Sequence, residues 1–113
     1  MPDENKYTEN QSLLTNHTMA NAYTPTALKI APFSRVGFIV DWANYSGSAA
    51  DLTIQVSNDG TKWYSYESIT INVSDKVTGK NYADLGWTYI RFLYSHTSVT
   101  AGTLNITYST KTL

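Results

Sequence analysis

The sequence predicts an all-β protein, a single antiparallel β-sandwich of jelly-roll type with about seven or eight strands and an extended N-terminal arm. Its 113 residues leave room for one domain with one core. Short runs that alternate apolar and polar residues are separated by turn signals about every 8–12 residues, which is typical of antiparallel sandwiches and barrels. No segment shows a convincing helical period.

Residues 1–24 are predicted to form the extended arm, and residues 25–113 the sandwich. The first 24 residues are polar and hold one short apolar pair, Leu13 and Leu14. Polar termini stay ordered only when they bind something, which is either their own sheet or a neighbouring chain. A disordered leader is the usual alternative for such a polar terminus; of the two ordered states we favour a neighbouring chain.

The strands are predicted in order along the rest of the chain. Proline cannot donate to a central ladder, so Pro32 ends the first strand. Residues 35–42 are apolar on nearly every position and are therefore placed centrally in a sheet. The polar residues 74–84 are predicted to form a loop at a functional rim. The candidate strands are residues 27–30, 35–42, 51–57, 62–67, 68–73, 87–95 and 103–110.

The segment DLTIQVSNDGTKWYSY, residues 51–66, is predicted to be a β-hairpin around its Asp-Gly turn. A loop of two or four residues sets Val56 opposite Trp63, which makes Trp63 a core residue and leaves Tyr64 and Tyr66 on the outer face. A three-residue loop with a bulge at the glycine would shift the pairing by one and bury the tyrosines. The first register is favoured.

Aromatic residues supply the candidate contacts. Trp42, Trp63 and Trp87 are predicted to be core, because each buries a large area in a small domain. Core and interface remain equally supported for the tyrosines, which can anchor a protein interface or stack on sugar rings. The candidate interface or ligand contacts are Leu13, Leu14, Tyr64, Tyr66, Tyr82 and Tyr94.

The sequence offers little for chemistry, and we expect no enzyme, cofactor or metal site. Cysteine is absent, and neither His17 nor His96 has a ligand partner at metal-binding spacing. The aspartates adjoin turns, where they accept local backbone hydrogen bonds. A calcium site on the Asn-Asp-Gly turn or in residues 74–84 has thin support, because that loop holds only two acids.

Charge and hydropathy limit the partners and the location. A net charge of −1 and a pI near 6.0 argue against nucleic acid. No apolar run reaches the roughly 20 residues that cross a bilayer, and MPDENKYTEN does not resemble a signal peptide. We therefore expect no membrane partner and synthesis in a cytoplasm.

Two sequence runs resemble known families. SNDGTKW followed by YIRFLY is similar to a motif pair in galactose-binding-like jelly rolls of the discoidin type. Together with the strand GTLNITYSTK, the same runs resemble small β-sandwich virion proteins of tailed bacteriophages. The resemblance covers residues 51–111. Discoidin domains are usually longer, often carry terminal cysteines and are exported, so the phage resemblance accounts for more of this chain.

The phage resemblance implies a non-enzymatic structural protein of the virion, made in the host cytoplasm. A capsid decoration or cement protein is expected first, and a head-fibre or tail component otherwise. The arm and the sandwich surface would bind other virion proteins and further copies of the chain. The alternative is a carbohydrate-binding module or adhesin that uses the outward tyrosines, and a third possibility is a subunit of a bacterial surface or secretion assembly.

Overall fold

The protein is an eight-stranded antiparallel β-sandwich, as the sequence predicts. The computed structural model describes residues 7–21, 23, 26–30, 35–82 and 86–111. One sheet has the order β1-β8-β3-β6 and the other β2-β7-β4-β5, so most connections cross between sheets, as in a jelly roll. The strands are β1 Tyr7–Thr18, β2 Leu28–Lys29, β3 Arg35–Gly47, β4 Ala50–Ser57, β5 Tyr64–Ile71, β6 Lys76–Tyr82, β7 Tyr89–Ser95 and β8 Val99–Lys111.

The core lies between the two sheets and follows the predicted alternation. In β3, Val36, Phe38 and Val40 are buried, while Ile39 between them is exposed. The rings of Phe38 and Phe92 meet edge to face across the sandwich with centroids 4.8 Å apart. Each fully buried large apolar side chain contributes about 1.5–3 kcal/mol, so this alternation is the main source of stability.

The predicted arm is in large part a strand of the protein's own sheet. β1 pairs antiparallel with β8, from Tyr7 opposite Lys111 to Thr18 opposite Thr103. The preference for a neighbouring chain as its binding partner is therefore wrong for Tyr7–Thr18. Because backbone groups make these bonds, a polar sequence can supply the strand without an apolar pattern. Residues 1–6, 22 and 24 of the predicted arm lie outside the described residues.

The predicted loop at residues 74–84 contains a strand instead. β6 pairs with β3 from Val36 opposite Tyr82 to Trp42 opposite Lys76. β6 is an edge strand whose side chains are mostly exposed, including Val77 at 73%. Since exposed edge strands need no apolar face and often carry lysine, the polar sequence gave no strand signal.

The loop between β4 and β5 is longer than the loop in either predicted register. Val56 pairs with Tyr64, so residues 57–63 make the turn. The Asp59 carboxylate accepts hydrogen bonds from the backbone amides of Thr61 (2.8 Å) and Lys62 (2.9 Å). These backbone donors, Lys62 first, lower the pKa of Asp59 because they stabilise its charged form.

β5 is one strand where the sequence predicted two. Gln55 pairs with Ser65 and Ile54 with Glu67, so Tyr66 is the extra residue of a β-bulge. Cross-strand partners share a face, so Tyr64 lies on the same face as Val56, and Glu67 on the same face as Ile54. The prediction that Tyr64 lies on the outer face is therefore wrong, although its position at the sheet edge leaves it exposed.

The three tryptophans occupy different environments. Trp42 is buried, and its indole nitrogen donates to the Val73 carbonyl oxygen at 2.9 Å. Trp63 is half-buried on the outer face of the second sheet, where the Arg91 guanidinium lies 4.1 Å from its ring centroid. Trp87 is also half-buried. The prediction of a core position is confirmed for Trp42. It is wrong for Trp63 and Trp87, which are only half-buried.

Candidate functional site

Two edge strands, β5 of one sheet and β6 of the other, are joined by side-chain contacts at one margin of the sandwich. The aromatic edge is the cluster that forms there, made of Tyr64, Tyr66, Tyr82 and Trp87. Tyr64 stacks on Trp87 with centroids 6.5 Å apart and planes 22° apart. Tyr66 meets Trp87 at 5.0 Å and Tyr82 at 5.3 Å, both edge to face. The cluster is therefore continuous from one sheet to the other.

A polar contact fixes the inner side of the aromatic edge. The Tyr82 hydroxyl donates to the Glu67 carboxylate, and the Lys80 ammonium lies 2.9 Å from the same carboxylate. The hydrogen bond from Tyr82, followed by that from Lys80, lowers the pKa of Glu67. Burial raises the pKa of Tyr82, and the Glu67 charge raises it further. Tyr82 is thus held in one orientation as a neutral donor.

The two outer tyrosines are the accessible part of the aromatic edge. Tyr64 is 62% exposed and Tyr66 40% exposed, whereas Tyr82 and Trp87 are half-buried beneath them. Because a tyrosine ring has an apolar face and a polar tip, it can contact a protein surface or a sugar ring without a large entropy cost. The arrangement suits adhesion, since its rings are prepositioned by Trp87.

The remaining predicted contact residues lie elsewhere. Leu13 and Leu14 on β1 are half-buried and pack against the core. Tyr94 is 1% exposed, and its hydroxyl donates to the Met19 carbonyl oxygen at 2.8 Å. Burial raises the pKa of Tyr94 to about 12. Tyr94 is thus a core residue, and the prediction that it is a surface contact is wrong.

Sequence reasoning missed three members of this site: Trp87 as a contact residue, Glu67 and Lys80. The favoured register, with Val56 opposite Trp63, already sets Glu67 opposite the apolar Leu52, and a charged residue at such a position was the signal that could have indicated it. Lys80 was missed because its strand was taken for a loop.

The histidines serve local structure in the described region. The His17 Nε2 atom lies 2.9 Å from the Asn21 carbonyl oxygen, and its ring meets Tyr23 and Tyr94 edge to face. The His96 ring packs on Tyr94 with centroids 5.5 Å apart. Within residues 7–21, 23, 26–30, 35–82 and 86–111, no three His, Asp or Glu side chains converge as a metal site would require. The same residues include no helix that could span a membrane.

The fold is a small β-sandwich with an aromatic edge, and among the solved structures that resemble it is one that matches over nearly its whole length. The crystal structure of the SPBc2 prophage-derived protein YomS matches with a TM-score of 0.59 and 9% sequence identity, covering 99% of this chain and 98% of that one. At this identity the likeness concerns the fold. No family model and no curated protein matches the chain.

Proposed function

We propose that this chain is a non-enzymatic structural protein of a bacteriophage virion, a capsid decoration or cement protein that docks on neighbouring subunits. The observation that carries the proposal is the aromatic edge, where exposed tyrosines lie beside two edge strands. The full-length likeness in fold to a prophage-derived protein supports the phage setting. A head-fibre or tail position would use the same surface.

The aromatic edge has the properties of a docking surface. Tyrosine and tryptophan are enriched in interface centres because their rings bury much area while the hydroxyl or indole nitrogen stays hydrogen-bonded. Alongside them, the free edges of β5 and β6 present backbone donors and acceptors that a partner strand can pair with. The bulge at Tyr66 limits such pairing to short stretches.

The adhesive role requires several weak contacts rather than one strong one. A capsid presents many equivalent sites, and copies of the chain that also contact each other would gain avidity from that symmetry. We therefore propose a homo-oligomer on the particle, with the aromatic edge on the capsid side.

The test is incorporation into particles. Particles are purified on a density gradient from an induced lysate of the strain that carries the gene, and the chain is quantified by mass spectrometry. We expect the wild-type chain to copurify and the Tyr64→Ala/Tyr66→Ala variant to be depleted. The matched control, Val73→Ala/Val77→Ala, removes other exposed apolar groups and should incorporate normally. Wild-type chain absent from particles would contradict the function, and undiminished incorporation of the tyrosine variant would contradict the docking surface.

Carbohydrate binding is the second candidate, and the stacked pair of Tyr64 and Trp87 favours it. Their planes are within 22° of each other, so Tyr64 presents a held ring face with 62% of the residue exposed. Sugars stack on such faces through their C–H groups. A glycan array probed with the wild-type chain and with Tyr64→Ala separates the two functions, because a defined sugar signal lost in the variant would favour a carbohydrate-binding module.

A further inference from the structure

A second surface lies on the outer face of the β1-β8-β3-β6 sheet, at the end where β3 begins. Five residues line a pocket of about 200 Å³ there: Arg35, Gly37, Asn81, Ser109 and Lys111. The strand register explains why they share one face. Arg35 lies opposite Lys111, and Gly37 lies opposite both Ser109 on β8 and Asn81 on β6. The oxyanion pocket is our name for this site.

The pocket holds two positive charges side by side. Like charges directly opposite in an antiparallel pair destabilise a sheet, so the placement of Arg35 against Lys111 has an energetic cost. Within the described part of the chain, the ion pair joins Lys80 to Glu67. Among the same residues, neither Arg35 nor Lys111 pairs with a carboxylate. An anion bound between them would offset the repulsion. Guanidinium, ammonium and amide groups are all hydrogen-bond donors suited to carboxylate oxygens.

A groove continues from the oxyanion pocket along β3. It has a volume of about 440 Å³, and Gly37, Ile39, Gly79 and Thr107 are among the residues that line it. Gly37 and Gly79 lie at neighbouring positions and have no side chains, so the groove is deeper there. The Ile39 side chain, 52% exposed, offers an apolar surface. The site thus pairs a cationic end with an apolar end. Ile39 lies four positions after Arg35, which is about 13 Å of extended strand.

We propose that this face binds an extended acidic peptide segment of a partner protein, with a carboxylate in the oxyanion pocket and an apolar side chain on Ile39. The spacing sets the motif, because an extended peptide covers the same distance with an acidic residue and an apolar residue four positions apart. This proposal rests on the proposed function in one respect only, the origin of the peptide, which would be a segment of a neighbouring virion subunit.

The charge of the whole chain favours a peptide over a nucleic acid as the occupant. Nucleic-acid binding draws on many phosphate contacts, while this chain has a net charge of −1 and this site has two cationic side chains, those of Arg35 and Lys111. A carboxylate is an anion that the guanidinium of Arg35 and the ammonium of Lys111 can bind together, and the apolar end has no counterpart on a phosphate backbone.

The experiment is a titration of the isotopically labelled full chain with a pentapeptide, followed by two-dimensional NMR. The probe is acetyl-Asp-Thr-Ser-Thr-Leu-amide, and its partner probe has Asn in place of Asp. We expect the Asp peptide to shift the amide signals of Gly37, Asn81 and Lys111. Arg35→Gln and Lys111→Gln should each weaken binding about tenfold, because each removes a charge-assisted hydrogen bond.

Gly37→Ala tests the pocket floor without removing a charge. An added Cβ would meet the Asn81 side-chain oxygen at 3.5 Å, an ordinary contact, so the variant should fold normally and exclude the carboxylate. The matched charge controls are Lys29→Gln and Lys62→Gln, both at exposed lysines elsewhere. They should bind as the wild type does. Arg35→Gln should melt no lower than the wild type, since it relieves the like-charge contact.

Three outcomes would overturn the inference. Equal binding of the Asn peptide would show that no carboxylate is recognised. Unchanged binding by Gly37→Ala would place the peptide elsewhere. Sodium phosphate acting on the same signals at lower concentration than the peptide would assign a small inorganic anion site. Because the titration uses purified chain, its result is independent of whether the chain is found in particles.

Discussion

Tyr82 on β6 donates a hydrogen bond to the carboxylate of Glu67 on β5, and this contact joins the two sheets at the margin where the aromatic edge lies. Lys80, two residues before Tyr82 on the same face of β6, pairs with the same carboxylate. Glu67, Lys80 and Tyr82 thus form a polar clamp that holds the Tyr82 side chain, and the Tyr82 ring in turn meets Tyr66 of the proposed docking surface.

Tyr82→Phe should lower the free energy of unfolding by about 1 kcal/mol, because it removes one hydrogen bond to a charged group at a partly exposed site. The ring and its contacts with Phe38 and Tyr66 remain. Urea unfolding followed by tryptophan fluorescence measures the change. Tyr64→Phe, at an exposed ring, is the control and should leave stability within about 0.5 kcal/mol of the wild type. An equal loss in both variants would contradict the clamp.

Stability should fall in acid partly through Glu67. Its folded-state pKa is lowered by Tyr82 and Lys80, so the contact contributes fully above the unfolded pKa of about 4.3 and is lost as pH falls through the folded value. We expect the stability difference between wild type and Glu67→Gln to be largest near neutral pH and to shrink towards about pH 3. Denaturant unfolding at several pH values measures it. The pKa of Asp59 is also lowered in the folded state, so Glu67→Gln should keep part of the acid sensitivity. A stability difference between wild type and Glu67→Gln that stays constant with pH would contradict the assignment.

Gly47→Ala should destabilise the fold by more than about 1 kcal/mol, since Ala at this positive φ is strained. Gly47 has φ +132°, and an added Cβ would lie 2.3 Å from the Ser98 carbonyl oxygen. Gly86→Ala is the matched control, because no atom of the described residues lies within 4 Å of its added Cβ. Thermal melting of both variants makes the comparison, and a Gly47→Ala melt equal to that of Gly86→Ala would refute it.

Removal of residues 1–18 should destabilise the sandwich rather than merely detach an arm. The deletion strips the hydrogen-bond partners from one side of β8 and removes Leu13 and Leu14 from the core margin. We expect a loss of more than about 2 kcal/mol together with aggregation through the newly exposed edge. Calorimetry and size-exclusion chromatography report both, and deletion of residues 1–6 alone is the control. A soluble, stable chain lacking residues 1–18 would show that β1 contributes little.

The sequence predicted the fold wherever burial dictated the residue type. The alternating apolar residues of β3, such as Val36, Phe38 and Val40, lie between two other strands and face the opposite sheet, so their pattern carries the information. β1 and β6 are not predicted as strands, because burial does not dictate their residue types. Both are edge strands held by backbone bonds, and backbone bonds leave no trace in side-chain type.

The sequence predicts which residue types belong to the candidate site, but it does not predict that they meet. Tyr64, Tyr66 and Tyr82 are candidate contacts by residue type, yet nothing in the sequence brings Tyr82 to the other two. Their meeting depends on β6 being a strand and on the bulge at Tyr66, which reverses the facing of Glu67. Tyr94 was misassigned because a buried tyrosine with a hydrogen-bonded hydroxyl looks the same in sequence as an exposed one.

The pairing of β1 with β8 has a consequence for synthesis on the ribosome. Tyr7 is translated before its partner Lys111, which emerges only after more than a hundred further residues. Throughout that time β1 is an unpaired segment that can meet other nascent chains, and contacts so distant in sequence form slowly. A strand obliged to wait this long benefits from polar side chains that keep it dissolved. The polarity that disguised β1 as an arm is thus suited to a strand that joins its sheet last.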